Sequence, residues 1–283
     1  MPTKTGVPRR ATKTRNGTAD MNLLVKRATT NQAVNRRLLF GIPTTGMVRI
    51  EWVQGRYGQV IPCNWSHAES IIASEQWSPV GYDVANARNL IIQQAVQQNY
   101  EWVFFIDHDV ILPPDAFIKI NEYINSEQYP VVSGLYYTKS HPAEPLCYRG
   151  RGNSFYSKFT IGDKFFVDGH GMGCTLISVK LLRAMYQDAP EYVINGKEKC
   201  RMVMETPSFS IHDPESGGYR GFGGTEDLSW CDRVMEGDYL KKAGWPELAR
   251  RKYPFWMDTS LFCLHIDPNG TTYPLGVQQR RGG

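Results

Sequence analysis

Two carboxylates one residue apart, Asp107 and Asp109, close an apolar run in YEWVFFIDHDVILPP, residues 100 to 114. Such a run meeting two acids reads as a buried strand whose C-terminal end brings charge to the sheet edge, where open α/β sheets hold their ligands. The pair suits a hard divalent cation, which takes one or two carboxylates, keeps some waters and shares phosphate oxygens. A nucleotide diphosphate is the natural partner, because its charge must be neutralised before it can leave. Side chains alternate along an extended segment, so Asp107 and Asp109 are expected on one side and His108 on the other. Aspartate is also an ordinary turn residue, so the spacing by itself equally fits a strand end followed by a turn.

Other residues of chemical interest lie downstream. GGTEDLSWC sets Glu226 and Asp227 after Thr225, a good helix cap. Acids in a first helical turn are favoured by the dipole whatever their role, and one there can also act as a general base. DGHGMG at 168 to 173 has glycines at 169, 171 and 173 that allow close backbone approach. FCLHIDPNG at 262 to 270 places His265 between apolar residues and a turn, with Asp267 two residues on. An isolated histidine is more often a core residue than a ligand, so context must carry that assignment.

The elements that position these groups follow from periodicity. LLFGIP at 38 to 43 reads as a first strand closed by Pro43, Thr44, Thr45 and Gly46. Helices are expected over Ser66–Gln76, over Ala85–Gln98 and from about Asp115 to Asn125. Arg88 and Asn89 fall in the first turn of the second, where unpaired backbone N–H groups favour an anion. A strand follows at 130 to 140, short aromatic strands between 141 and 168, a strand at 174 to 178 and a helix at 179 to 186. Residues 187 to 224 show little periodicity and many glycines and prolines, and read as an acceptor-side flap. The alternation over the first 140 residues is that of a doubly wound α/β half.

GYDVANARNLIIQQAVQQNYEWVFFIDHD at 81 to 109 resembles the donor-binding stretch of GT-A glycosyltransferases of the family 2 type. There an Ala-Arg-Asn run, here Ala87, Arg88 and Asn89, opens a helix, and a hydrophobic strand closes in DxD. A weaker likeness extends over 38 to 276. The resemblance implies an α/β, Rossmann-like GT-A fold with a mostly parallel central sheet flanked by helices. It implies metal-dependent transfer of one sugar from a nucleotide-sugar, a UDP-sugar first, to a hydroxyl of an acceptor glycan, protein or modified nucleic acid. Pro43, Thr44, Asn86, Arg88, Asn89, Asp107, His108 and Gly171 would then face the donor, and Asp107, Asp109 and His265 would hold Mn²⁺ or Mg²⁺. Glu226 and Asp227 would form the acidic pair, with Asp227 the base and inversion the outcome. No Gln-x-x-Arg-Trp follows that pair, which favours a single transfer over polymerisation. A retaining enzyme acting on a modified nucleic-acid base stays open, as does a carbohydrate- or nucleic-acid-binding module on the same fold. Nucleotidyl transfer also uses paired aspartates, but the chain has no P-loop.

Composition bounds the rest. The 283 residues, 41% hydrophobic and 21% charged, suffice for one sizeable core. The net charge of +4 is uneven: residues 1 to 37 carry nine Lys or Arg against Asp20 alone, leaving 23 bases and 27 acids in the remainder. We therefore expect a basic arm at 1–37, a catalytic domain at 38–276 and a tail at 277–283, with donor and acceptor halves meeting near 140. The arm reads as a solvated tail, with nucleic acid, an anionic surface or a transit role as its other uses. Six cysteines without C-x-x-C spacing, and no apolar leader or span, suggest a reduced, cytoplasmic protein.

Overall fold

The computed structural model describes residues 38–65, 74–150, 154–212, 214–215 and 217–276. The basic arm and the tail lie outside the described residues. The chain opens with strand β1 (Leu38–Gly41), helix α1 (Ile50–Tyr57), strand β2 (Ser74–Trp77), helix α2 (Val84–Gln97) and strand β3 (Trp102–Ile106). It continues through β4 (Val110–Ile111), α3 (Ala116–Ser126), β5 (Val131–Leu135), β6 (Cys147–Tyr148), β7 (Lys164–Val167) and β8 (Gly169–His170). Then come β9 (Cys174–Ser178), α4 (Val179–Asp188), and the hairpins β10 (Glu191–Ile194) with β11 (Glu198–Arg201) and β12 (Ser208–His212) with β13 (Tyr219–Gly223). Helices α5 (Glu226–Glu236), α6 (Tyr239–Lys242) and α7 (Pro246–Ala249) precede β14 (Phe255–Phe262), β15 (Leu264–Ile266) and β16 (Thr272–Tyr273).

Seven strands form the central sheet in the order β2-β1-β3-β9-β5-β14-β7. The pairings of β1 with β2 and β3, and of β5 with β14, are parallel, while β9 and β7 run against their neighbours. Five of the seven strands thus share one direction, and the sheet is mixed but mostly parallel. Alternate strand residues feed opposite faces, as a period of two demands. Leu38, Phe40, Trp102, Phe104 and Ile106 pack with Trp52 of α1 and Phe117, Ile120 and Ile124 of α3. Leu39, Val103 and Phe105 pack with Ile91, Ile92 and Ala95 of α2, Leu181 and Leu182 of α4 and Trp230 of α5. Helices therefore cover both faces, which is why the inner strands β1 and β3 are buried and apolar along their whole length. No described helix is long and apolar enough to cross a membrane.

Three expectations need correction. Of the helix expected over Ser66–Gln76, residues 66 to 73 lie outside the described residues, and Ser74–Gln76 belong to β2, paired in register with β1. The ladder outweighs a weak helical pattern. The strand expected over 130 to 140 ends at Leu135, after which the chain bends into a loop closed by the Tyr137–Pro145 bridge. The segment 187 to 224 is not an irregular flap, for it folds into two antiparallel hairpins. The first lies on α2 through Leu90, Ile194 and Cys200.

Strand β8 carries His170 into the core, fully buried and edge-on to Phe255. Its Nδ1 bonds the Gly171 carbonyl at 3.0 Å. Burial pushes its pKa down from 6.5 to about 4, so the ring folds neutral. The unfolded chain takes up this proton below about pH 6.5 and the native chain only near pH 4. Stability from this residue is therefore complete above 6.5 and falls by about 3 kcal/mol as pH drops through that window. Urea melts between pH 7.5 and 4.5 should show the loss, and His170→Phe should flatten it. An equal slope in the variant would assign the acid sensitivity to other groups.

Candidate active site

Helix α2 is capped by Asp83, whose carboxylate accepts from the Asn86 N–H at 3.0 Å. The helix starts at Val84, so Arg88 and Asn89 occupy its second turn rather than its first. Arg88 is 1% exposed, and its guanidinium donates to Asp107 Oδ1 at 2.6 Å and to Glu226 Oε1. The end of β3 and the start of α5 thus meet on one buried cation. Burial alone would lower the Arg88 pKa, but the charges of Asp107, Glu226 and Asp227 raise it above the ordinary value. The acids feel the reverse balance: burial raises both Glu226 and Asp227 although Arg88 opposes it. Asp227 also interacts with the Thr225 hydroxyl and accepts from the Leu228 N–H at 2.8 Å. Thr225 itself caps α5 by backbone conformation, its hydroxyl accepting no bond from a backbone N–H of the helix.

The DHD segment is a turn. The carbonyl of Asp107 accepts from Val110 N–H at 3.1 Å and from the Trp52 indole at 2.8 Å, while Asp107 N–H donates to Gly173 at 3.0 Å. Alternation is lost there, and the two carboxylates take different partners, contrary to expectation. Asp107 turns to Arg88, whereas Asp109 pairs with Lys139 and lies 3.5 Å from His265 Nε2. Burial works against ionisation of Asp109, yet His265 and Lys139 hold it below the usual carboxylate range. The glycine-rich loop closes beneath. A Cβ on Gly173 would meet Asp107 Oδ2 at 2.8 Å, and one on Gly171 would meet the Tyr136 hydroxyl at 2.2 Å. Gly171 is therefore packed against Tyr136 inside the wall of the site.

The structure pairs two of the three expected metal ligands. His265 Nδ1 bonds the Tyr137 carbonyl at 2.8 Å. A carbonyl only accepts, so Nδ1 holds a proton, and Nε2 faces Asp109 Oδ1, where either a ring proton or a metal cation can sit between the two. Carboxylate and imidazole together suit Mn²⁺. Among the described residues no group of three or more His, Cys, Asp or Glu forms a cage. A two-ligand site fits an ion that completes its shell with phosphate oxygens and water.

The remaining expected residues divide. His108 and Asp109 line a cavity of 390 Å³ with Thr45, Arg49, Lys139 and Asp267. Pro43 and Thr44 sit at the end of β1, the latter bridging to Val80 and accepting from Gly46 N–H. Asn86 lines a different cavity, of 520 Å³, with Asp83, Tyr192, Met204, Glu205 and Pro207. Asn89 is a correction: it is 1% exposed and donates to Tyr192 and Met204 while accepting from Val203 and Met204. Its four hydrogen bonds are spent on latching the chain after β11, which leaves none for a donor. Trp52, Tyr136, Lys139 and Arg49 were not among the sequence candidates. The Thr-Lys-Ser after an apolar strand was the one signal for Lys139.

No family model matches the chain, and no curated protein matches it. Among solved structures it is similar to A197 from STIV, at 19% identity over 83% of this chain and 90% of that one, with a TM-score of 0.47. It is similar to S. aureus TarS in complex with UDP at 12% identity and a TM-score of 0.32, covering 55% of this chain and half of that one. A Bacillus anthracis protein assigned as a glucose-1-phosphate thymidylyltransferase, in complex with a sucrose, overlaps 54% of this chain and 75% of its own, at 10% identity and a TM-score of 0.30. Overlaps this loose carry no chemistry, which rests on the site itself.

Arg88→Met would leave three acids around an apolar stem. We expect a loss of about 3–5 kcal/mol at pH 7.5, read by urea unfolding. The loss should shrink toward pH 5 as the stranded carboxylates take up protons. A loss that stays constant with pH would show that packing, and not charge, holds the bridge.

Proposed function

We propose that the chain is a GT-A type glycosyltransferase that moves one sugar from a nucleotide-sugar, a UDP-sugar first, to an acceptor hydroxyl with inversion. The observation that carries this reading is the buried Arg88 bridge, which brings the DHD turn and the acidic pair of α5 into one site. The resemblance of residues 81 to 109 to the family 2 donor stretch supports the same assignment.

The 390 Å³ cavity gathers Lys139 and His108 around Asp109, a setting for a diphosphate. A divalent ion held by Asp109 and His265 would neutralise the diphosphate as it leaves. Asp227 acts as base: burial raises its proton affinity, and its carboxylate takes the proton of the attacking hydroxyl. Glu226 stays clamped by Arg88 and positions its neighbour. Attack opposite the diphosphate inverts the anomeric carbon.

The 520 Å³ cavity is the acceptor's place in this reading. Its floor, Ala85, lies one turn before Arg88 on α2, and its wall, Pro207, accepts from the N–H of Gly224, two residues before Glu226. Asp83 and Glu205 line it, with no Lys or Arg among its described lining residues. That lining favours a neutral polyhydroxyl acceptor over a phosphate-bearing nucleic acid.

Thermal shift with UDP should show a rise that needs Mn²⁺ and vanishes in Asp109→Ala. Asp227→Asn should keep that rise yet lose turnover by about 10²–10⁴-fold. The acid limb of kcat/KM should lie above the 3.8 of an ordinary aspartate, because the Asp227 pKa is raised. Absence of any nucleotide response in the folded wild type would end the transferase reading, and full turnover in Asp227→Asn would remove the base.

A further inference from the structure

We propose that Lys139 is a resident counter-cation that competes with the divalent ion for Asp109 and, once displaced, holds the donor's diphosphate. The inference rests on the transferase reading and assigns it a residue outside the expected donor and metal set.

Lys139 sits at the tip of a loop whose base is fixed by Leu146 N–H to Tyr136 carbonyl and Thr138 N–H to Glu144 carbonyl bonds, each 2.9 Å. The backbone is therefore held, and only the lysine side chain needs to move. Its ammonium pairs with Asp109 Oδ2, while Oδ1 faces His265 Nε2. The same short segment supplies the Tyr137 carbonyl that orients His265. One loop thus prepares the imidazole for a cation and occupies the carboxylate with another.

An ion entering between Oδ1 and Nε2 places two positive charges beside the ammonium. Like charges so close repel strongly at low effective dielectric. The lysine then needs another acceptor, and few protein groups on the cavity wall offer one. Asp267 already accepts at Oδ1 from the Asn269 and Thr271 N–H groups, each at 2.9 Å. Arg49 is committed to Glu51 and to the Pro268 carbonyl at 2.8 Å. Lys139, partly exposed and lining the cavity, is the cation able to turn to an incoming diphosphate.

One substitution should then move two affinities in opposite directions. In Lys139→Met, Mn²⁺ alone should bind about tenfold more tightly by titration of the free ion's EPR signal, because its competitor is gone. UDP at saturating Mn²⁺ should bind about tenfold more weakly by calorimetry, because a charge-assisted contact is lost. Lys139→Arg should restore both toward wild type. Mn²⁺ affinity unchanged or weakened in Lys139→Met, or UDP affinity unchanged, would overturn the inference while wild-type binding of Mn²⁺ and UDP upheld the transferase reading. Wild type that binds neither would overturn both.

Discussion

The site depends on one buried guanidinium. Arg88 is a charge that the interior of α2 could not hold without acids at both of its ends, and the fold brings Asp107 and Glu226 to it from separate elements. A buried ion pair of this kind adds little net stability compared with an apolar core, but losing one partner is severe, so it fixes geometry more than it strengthens the fold. The backbone of Asp107 is pinned from two further sides, by the Trp52 indole and by Gly173. The carboxylate therefore has no slack.

The turn at Asp107–Val110 divides labour between two aspartates that look equivalent in sequence. Asp107 belongs to the Arg88 cluster, where three acids share one cation and burial raises Glu226 and Asp227 toward accepting a proton. Asp109 belongs to a cationic corner with Lys139 and His265, where ionisation is favoured. A proton acceptor and a cation seat need opposite electrostatics, and placing them on opposite sides of one turn supplies both within a few residues.

What was legible follows from distance along the chain. Strands β3 and β9 and helices α2, α3 and α4 could be read because each carries its own apolar period between clear stops. The hairpin of β10 and β11 was missed, because the periodicity there is blurred by lysines and glutamates. Its Asn195-Gly196 turn, with φ of 49° and 68°, is a strong short-range hairpin signal. Helix α1 was hidden because it buries only Trp52 and Arg56 and has Gly55 at its middle, where a side chain would strike Ile111 at 2.8 Å. The identities of Asp107, Asp109, Glu226, Asp227 and His265 as groups of interest came from local motifs. Their pairing did not, because Lys139 meets Asp109 across 30 positions and Trp52 meets Asp107 across 55.

Arg88 reaches Asp107 across 19 positions but Glu226 across 138. The first partner arrives with the neighbouring strand, the second only after both hairpins have been passed. Until α5 docks, the guanidinium has one carboxylate and an open side, and burying it would be unfavourable. Burial of the Arg88 guanidinium and docking of α5 are therefore coupled, because the cation needs its second carboxylate before it can leave water. Long-range closure of that kind is slow.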